Sequence, residues 1–144
     1  MRRMAMFFIV ILTLTTSTCF SQTIGRIFGK EEANTLFGSV LESVTMSQSQ
    51  LSSIISQTQN YVMFKVSNGN VTILGDGRAV LYPTGASVGP TEVFNVVSKS
   101  KVIELLNLGT GSQLFIERRS QTLTITKDMN TLEEMQPCPP YCYN

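Results

Sequence analysis

Residues 60–83 read NYVMFKVSNGNVTILGDGRAVLYP, and the fold class is decided in this stretch. Residues 61–66 are rich in aromatic and β-branched residues, as strands are. Asn68-Gly69 supplies the two residues that most readily take positive φ, the requirement of a tight hairpin turn. Residues 71–74 return as a second strand, Asp76-Gly77 marks a second turn, and residues 79–82 form a third strand closed by Pro83. Val62, Phe64 and Val66 share one face of the first strand, with Tyr61, Met63 and Lys65 on the other. Apolar residues on both faces predict a meander covered on one side and partly covered on the other.

Upstream the period changes. Ala33, Leu36, Phe37, Val40, Leu41 and Val44 follow the i, i+3, i+4, i+7 spacing of one helix over residues 31–44. Glu31 and Glu32 suit its amino-terminal turn, while Gly38 costs about 1 kcal/mol relative to Ala. Residues 46–50 are a Ser/Gln-rich break with Ser47 or Ser49 as a new N-cap. A second helix is predicted over 50–59, carrying Leu51, Ile54 and Ile55. Two such stripes are expected to pack on the chain's own sheet.

Downstream, residues 83–90 (PTGASVGP) read as a mobile connection, because they lack the spacing and the lysine of a phosphate loop. Residues 91–97 form a fourth strand. Ser98 is a candidate N-cap for a short helix over 99–107, with a strand running to 106 as the alternative. Residues 113–118 and 121–126 make a final hairpin around Arg119-Ser120. Alternation of Leu123 and Ile125 with Thr122, Thr124 and Thr126 gives that strand a wet face. Arg118-Arg119 reads as a solubilising turn, or as a guanidinium pair for a carboxylate or phosphate. Glu117 is expected to pair across strands.

The predicted fold class is α+β: a mostly antiparallel five- to six-stranded sheet packed by an N-terminal helix pair and one later short helix. One domain occupies residues 31–126. A lead-in, 22–30, precedes it, and an irregular Cys/Pro tail, 127–144, follows. Cys138 and Cys142 are expected to form a disulfide in an oxidising compartment, with a dithiol or a cross-link between copies as the alternatives.

Residues 1–21 have the parts of a secretory signal: Arg2 and Arg3, an apolar run over 5–14, then a small polar segment. The run is too short to span a bilayer, which takes about 20 residues. Either the chain is cut after Ser21, or Cys19 is acylated and holds the protein on a membrane. The Phe20-Ser21-Gln22 ending, the Cys138-Pro139-Pro140-Tyr141-Cys142 tail and residues 61–83 resemble those of small exported proteins of Bacteroides- and Flavobacterium-type bacteria. The resemblance implies export to the periplasm or the extracellular space and no particular activity.

Composition excludes several functions. Eleven Lys/Arg against ten Asp/Glu give +1, and without Arg2 and Arg3 nine against ten leave −1. Nucleic acid is therefore not an expected partner. The chain has no histidine, so no Ser-His-Asp, Cys-His or His-ligated metal site can be built from it. No cofactor is expected. The leading functional expectation is a non-enzymatic binding module whose partner is a protein or a glycan, with Tyr61, Met63, Tyr82, Arg118 and Arg119 as the candidate partner surface. The alternatives are a cell-wall glycan hydrolase using two of Asp76, Glu92, Glu104 and Glu117, and a structural protein cross-linked through its tail.

Overall fold

A computed structural model describes residues 22–142. The signal segment, Cys19 and the site of cleavage lie outside the described residues. Ten strands and three helices follow in the order β1 (Arg26–Gly29), α1 (Lys30–Phe37), β2 (Val40–Ser47), α2 (Gln48–Ile55), β3 (Tyr61–Ser67), β4 (Asn70–Leu74), β5 (Val80–Tyr82), β6 (Phe94–Ser98), α3 (Lys99–Leu106), β7 (Gln113–Arg119), β8 (Leu123–Lys127), β9 (Asn130–Glu133) and β10 (Gln136–Cys138). A 3₁₀ turn, Asp76–Arg78, separates β4 from β5. The α+β class and the antiparallel pairing are as expected. There are, however, two five-stranded sheets, ordered β1-β9-β8-β7-β2 and β10-β6-β3-β4-β5.

The meander at residues 61–82 forms as the sequence predicts. Asn68 and Gly69 both have positive φ, 53° and 73°, so the β3–β4 turn is of the mirror-image kind that Asn-Gly favours. Val62, Phe64 and Val66 are buried in the main core with Val71 and Ile73 of β4. The other face is not half open. Tyr61, Met63 and Leu74 are buried in a second cluster with Ile24, Phe94, Val96 and Cys138.

The predicted N-terminal helix pair needs correction. The first helix ends at Phe37, and Gly38 (φ 75°) redirects the chain. Val40, Leu41 and Val44, which continue the helical period, belong instead to β2, paired antiparallel with β7. Seven ladder pairs with β7 outweigh a weak periodic signal interrupted by a glycine, which is poorly suited to a helix interior. The second helix begins at Gln48, where the Ser47 side chain accepts the Gln50 N–H at 3.1 Å. Its Leu51, Ile54 and Ile55 are buried as expected. The expected irregular tail also contains regular structure: it supplies β9 to the first sheet and β10 to the second.

The pairing contains an internal duplication that periodicity alone does not reveal. β2-α2-β3-β4-β5 and β6-α3-β7-β8-β9 have the same order of elements, and the two helices have eight residues each. The buried Leu51, Ile54 and Ile55 recur as Val102, Leu105 and Leu106. The ladder pairs Phe64↔Ile73 and Val66↔Val71 recur as Ile116↔Ile125 and Arg118↔Leu123. Each half lends its first strand to the other: β2 pairs with β7, and β6 pairs with β3. Helices α2 and α3 are thus crossovers between sheets, and their buried residues join both inner faces in one core.

Ser98 precedes α3 as expected, but its hydroxyl accepts the Ile24 N–H at 2.8 Å rather than capping the helix. At the other end of α3, the buried Lys127 ammonium donates to the carbonyls of Leu106 (2.6 Å) and Leu108 (2.7 Å). A cation there complements the negative end of the helix dipole. No helix among the described residues is long and apolar enough to cross a membrane.

Phe64 is fully buried between the sheets. Truncating it to Ala leaves a cavity in a shared core, and Phe64→Ala should cost about 3–5 kcal/mol in urea unfolding. The exposed Val80→Ala should change stability by less than about 0.5 kcal/mol.

Candidate partner-binding edge and groove

The residues expected to form the partner surface separate in the structure. Tyr61 and Met63 are 4% and 0% exposed. They are part of the second core, because loop residues 83–93 and the tail cover that sheet face. This cover is held by Arg78, whose guanidinium donates to the carbonyls of Gly89 (3.1 Å), Glu92 (2.9 Å) and Cys138 (3.2 Å) and lies 5.3 Å from the centre of the Phe94 ring. Lys65 pairs with Glu92 at 2.7 Å. Loop 83–90 is therefore tied to the sheet rather than loosely attached. Cys138 and Cys142 lie at disulfide distance, with Cα atoms 4.8 Å apart, and the Tyr141 N–H donates to the Pro137 carbonyl at 3.0 Å to close the turn.

Arg118 and Arg119 point to opposite faces and have different roles. Arg118 is partly exposed and pairs with Glu42 of β2 at 3.0 Å. Arg119 is 3% exposed. It donates to Glu117 (3.1 Å), Thr124 (3.1 Å) and Asn34 of α1 (3.2 Å), and to the carbonyl of Gly38. Glu117 also accepts from Thr124 and Thr126 at 3.1 and 2.9 Å. The expected wet face is therefore covered: Thr124, Thr126 and Thr131 are buried. Thr124 and Thr126 bond to a buried ion pair instead of to water. A single-strand pattern cannot distinguish these cases, because both require polar residues at the same positions.

The four carboxylates considered for hydrolysis sit in four separate networks. Asp76 accepts the N–H groups of Gln59 (2.9 Å), Asn60 (2.9 Å) and Tyr61 (2.8 Å). Glu92 is bound to Lys65 on the outer face of one sheet, and Glu117 to Arg119 on the outer face of the other. Glu104 pairs with Lys101 on exposed helix surface. No acid–base pair shares a cleft among these four.

Two features remain available to a partner. The first is the free edge of β2. Every sheet has two edges, and the other three are short: β1 has four residues, β5 three and β10 three. β5 is closed by Pro83 and β10 contains Pro137, so neither offers a continuous row of N–H groups. β2 runs for eight residues (VLESVTMS) without Lys or Pro. A register shift between Val40 and Glu42 disrupts only its first end. Val40 and Leu41 are exposed at the start of β2, as is Phe115 of β7 opposite Thr45. An open groove of about 320 Å³ follows the edge, lined by Val44, Asn70, Thr72, Tyr82 and Pro83. Tyr82 and Arg118 therefore present their side chains beside β2, while those of Tyr61, Met63 and Arg119 are buried. The sequence signal that identifies β2 is Gly38 followed by Val40, Val44 and Thr45, β-branched residues that a helical reading of 31–44 overlooks.

The second feature is a groove of about 490 Å³ between the carboxyl end of α1 and the β7–β8 turn, lined by residues that include Leu36, Phe37, Thr122, Glu133 and Met135. No protein-family model matches this chain, and neither do curated proteins or solved structures.

Two stability predictions follow from these networks. Glu117→Ala leaves the Arg119 guanidinium buried without a counter-ion, and urea unfolding should show a loss of about 3–5 kcal/mol. Burial alone would raise the Asp76 pKa, but the N–H groups of Asn60, Gln59 and Tyr61 and a bond to Thr58 hold it below its ordinary value of 3.8. A depressed folded-state pKa gives stability that is present above the unfolded value and lost as pH falls through the folded one. The urea midpoint should therefore drop as pH falls below about 4, and Asp76→Asn should flatten that drop. An unchanged slope would mean that these bonds do not favour the ionised form.

Proposed function

We propose that this chain is an exported, non-enzymatic binding module of the cell envelope or extracellular space, and that it takes a protein partner by strand addition to β2. The observation that carries this reading is the contrast among the four sheet edges: three are short, two of those have proline at or beside the edge, and β2 is long and unprotected. An extended segment added there would gain main-chain hydrogen bonds along Glu42 to Ser47, and alternate side chains would meet the Tyr82 groove. Export rests on the composition of residues 1–21 and on a cysteine pair suited to an oxidising compartment. The carboxylate-hydrolase alternative has no observation in its favour, since each of the four acids is engaged in its own network.

Affinity capture from envelope extract tests the edge. The wild-type chain should enrich a specific protein, and Thr45→Lys, which puts a charge on the exposed side of β2, should reduce capture by about tenfold or more. Val80→Lys on β5 should leave it unchanged. Equal capture by the Thr45→Lys variant rules out the edge. No enrichment over an unrelated exported control, together with a blank glycan array, rules out a binding module altogether.

A further inference from the structure

Glu133 is 6% exposed, and its carboxylate accepts hydrogen bonds only from neutral groups, the Thr122 hydroxyl and the Glu134 N–H. It takes part in none of the ion pairs among the described residues. The other two acidic residues in the strands of the same sheet with little exposure, Glu117 and Glu42, each have an arginine. Arg26, opposite Glu133 in the β1–β9 ladder, is directed to Glu134 at 3.9 Å and lies 4.9 Å from the centre of the Phe28 ring. Arg119 is committed to Glu117, Asn34 and Gly38. A carboxylate withdrawn from water without a cation is costly, and buried charges in folded proteins are ordinarily paired. This one lines an open groove.

We propose that the groove between α1 and the β7–β8 turn binds a primary ammonium on an aliphatic stem, with the Glu133 carboxylate as its counter-ion. The volume, about 490 Å³, is in the range of small-ligand sites. Leu36, Phe37 and Met135 supply an apolar wall for a methylene chain, while Thr35, Ser120 and Gln121 supply oxygen acceptors for the remaining N–H groups.

The choice of ammonium follows from the acceptors in the groove. Each Glu133 oxygen already accepts one hydrogen bond and keeps a lone pair for another. The single oxygens of Thr35, Ser120 and Gln121 suit the three N–H donors of an ammonium. A quaternary ammonium would require an aromatic cage. Phe37 is the groove's one aromatic residue, and its ring already packs edge-on against Phe28. A divalent cation requires several oxygen ligands, and no group of three or more acidic or cysteine ligands is present among the described residues.

This site is separate from the β2 edge and does not rest on strand addition, so Thr45→Lys should leave it intact. The ammonium has two sources, a free alkylamine or a lysine side chain in a peptide. A ¹H–¹⁵N NMR titration with n-pentylamine, n-pentanol and Nα-acetyl-lysine methylamide separates them. Pentylamine should shift the amides of residues 35–38, 120–122 and 133–135, with millimolar affinity or better, and pentanol should not. Binding by the acetyl-lysine amide as well opens the site to lysine side chains, and its failure restricts the site to free amines. Glu133→Gln should weaken amine binding by about tenfold or more. If circular dichroism shows that this variant does not fold, Thr122→Val, which removes the hydroxyl that orients the carboxylate, should weaken binding measurably. Equal shifts with pentanol, unchanged affinity in the folded Glu133→Gln variant, or no binding of either amine source would each overturn the proposal.

Discussion

The structure depends on the exchange of first strands between its two halves. Without β2, the β7-β8-β9 meander would end at β7, and without β6, β3 would lose one of its two neighbours. Each half therefore completes a sheet that is mostly the other half's. The exchange works because each of the two strands ends at a serine, Ser47 or Ser98, and leads directly into an eight-residue helix. That helix carries the chain across to the opposite sheet and buries three apolar residues on the way. One core then serves both sheets, and its loss would expose both inner faces together.

The two outer faces are covered differently, and their composition reflects it. Over β3, β4 and β6 the cover is a loop and the tail, so the buried residues are apolar and Arg78 ties the loop down by its carbonyls. Over β7, β8 and β9 the buried outer face is polar. There Glu117 and Arg119 neutralise each other, the threonines of β8 satisfy the spare hydrogen-bonding capacity, and Asn34 and Gly38 join the network from the α1 end. Such a network contributes less net stability than apolar packing of the same volume, but losing either partner strands a buried charge. The two proposed binding features flank this polar face: the β2 edge lies on one side of β7, and the Glu133 groove lies beyond the β7–β8 turn.

Local signals in the sequence were reliable where a short-range rule decides the outcome. Asn68-Gly69 required a tight turn, Ser47 required a cap, and Leu51, Ile54 and Ile55 required a buried helix face. The candidate site was less legible. Tyr82 and Arg118 were found and do border β2, but β2 itself was hidden inside a helical period, and Glu133 lay in a tail read as irregular. Burial of Tyr61, Met63 and Arg119 depends on a loop and a helix from elsewhere in the chain, and alternation along their own strands does not encode it.

By itself, then, the sequence determined the α+β class, the β3-β4-β5 meander, α2 and α3, and the absence of any histidine-based chemistry. These are properties of composition, of turn chemistry or of windows a few residues long. Only the tertiary structure decided that there are two sheets, that the halves exchange strands, which edge remains open and which buried carboxylate lacks a cation. Those outcomes are set by pairing between residues far apart in the chain, Met46 with Leu114 and Val62 with Val97. A strand's pattern states which face is apolar, but the neighbour that covers the other face comes from elsewhere in the chain.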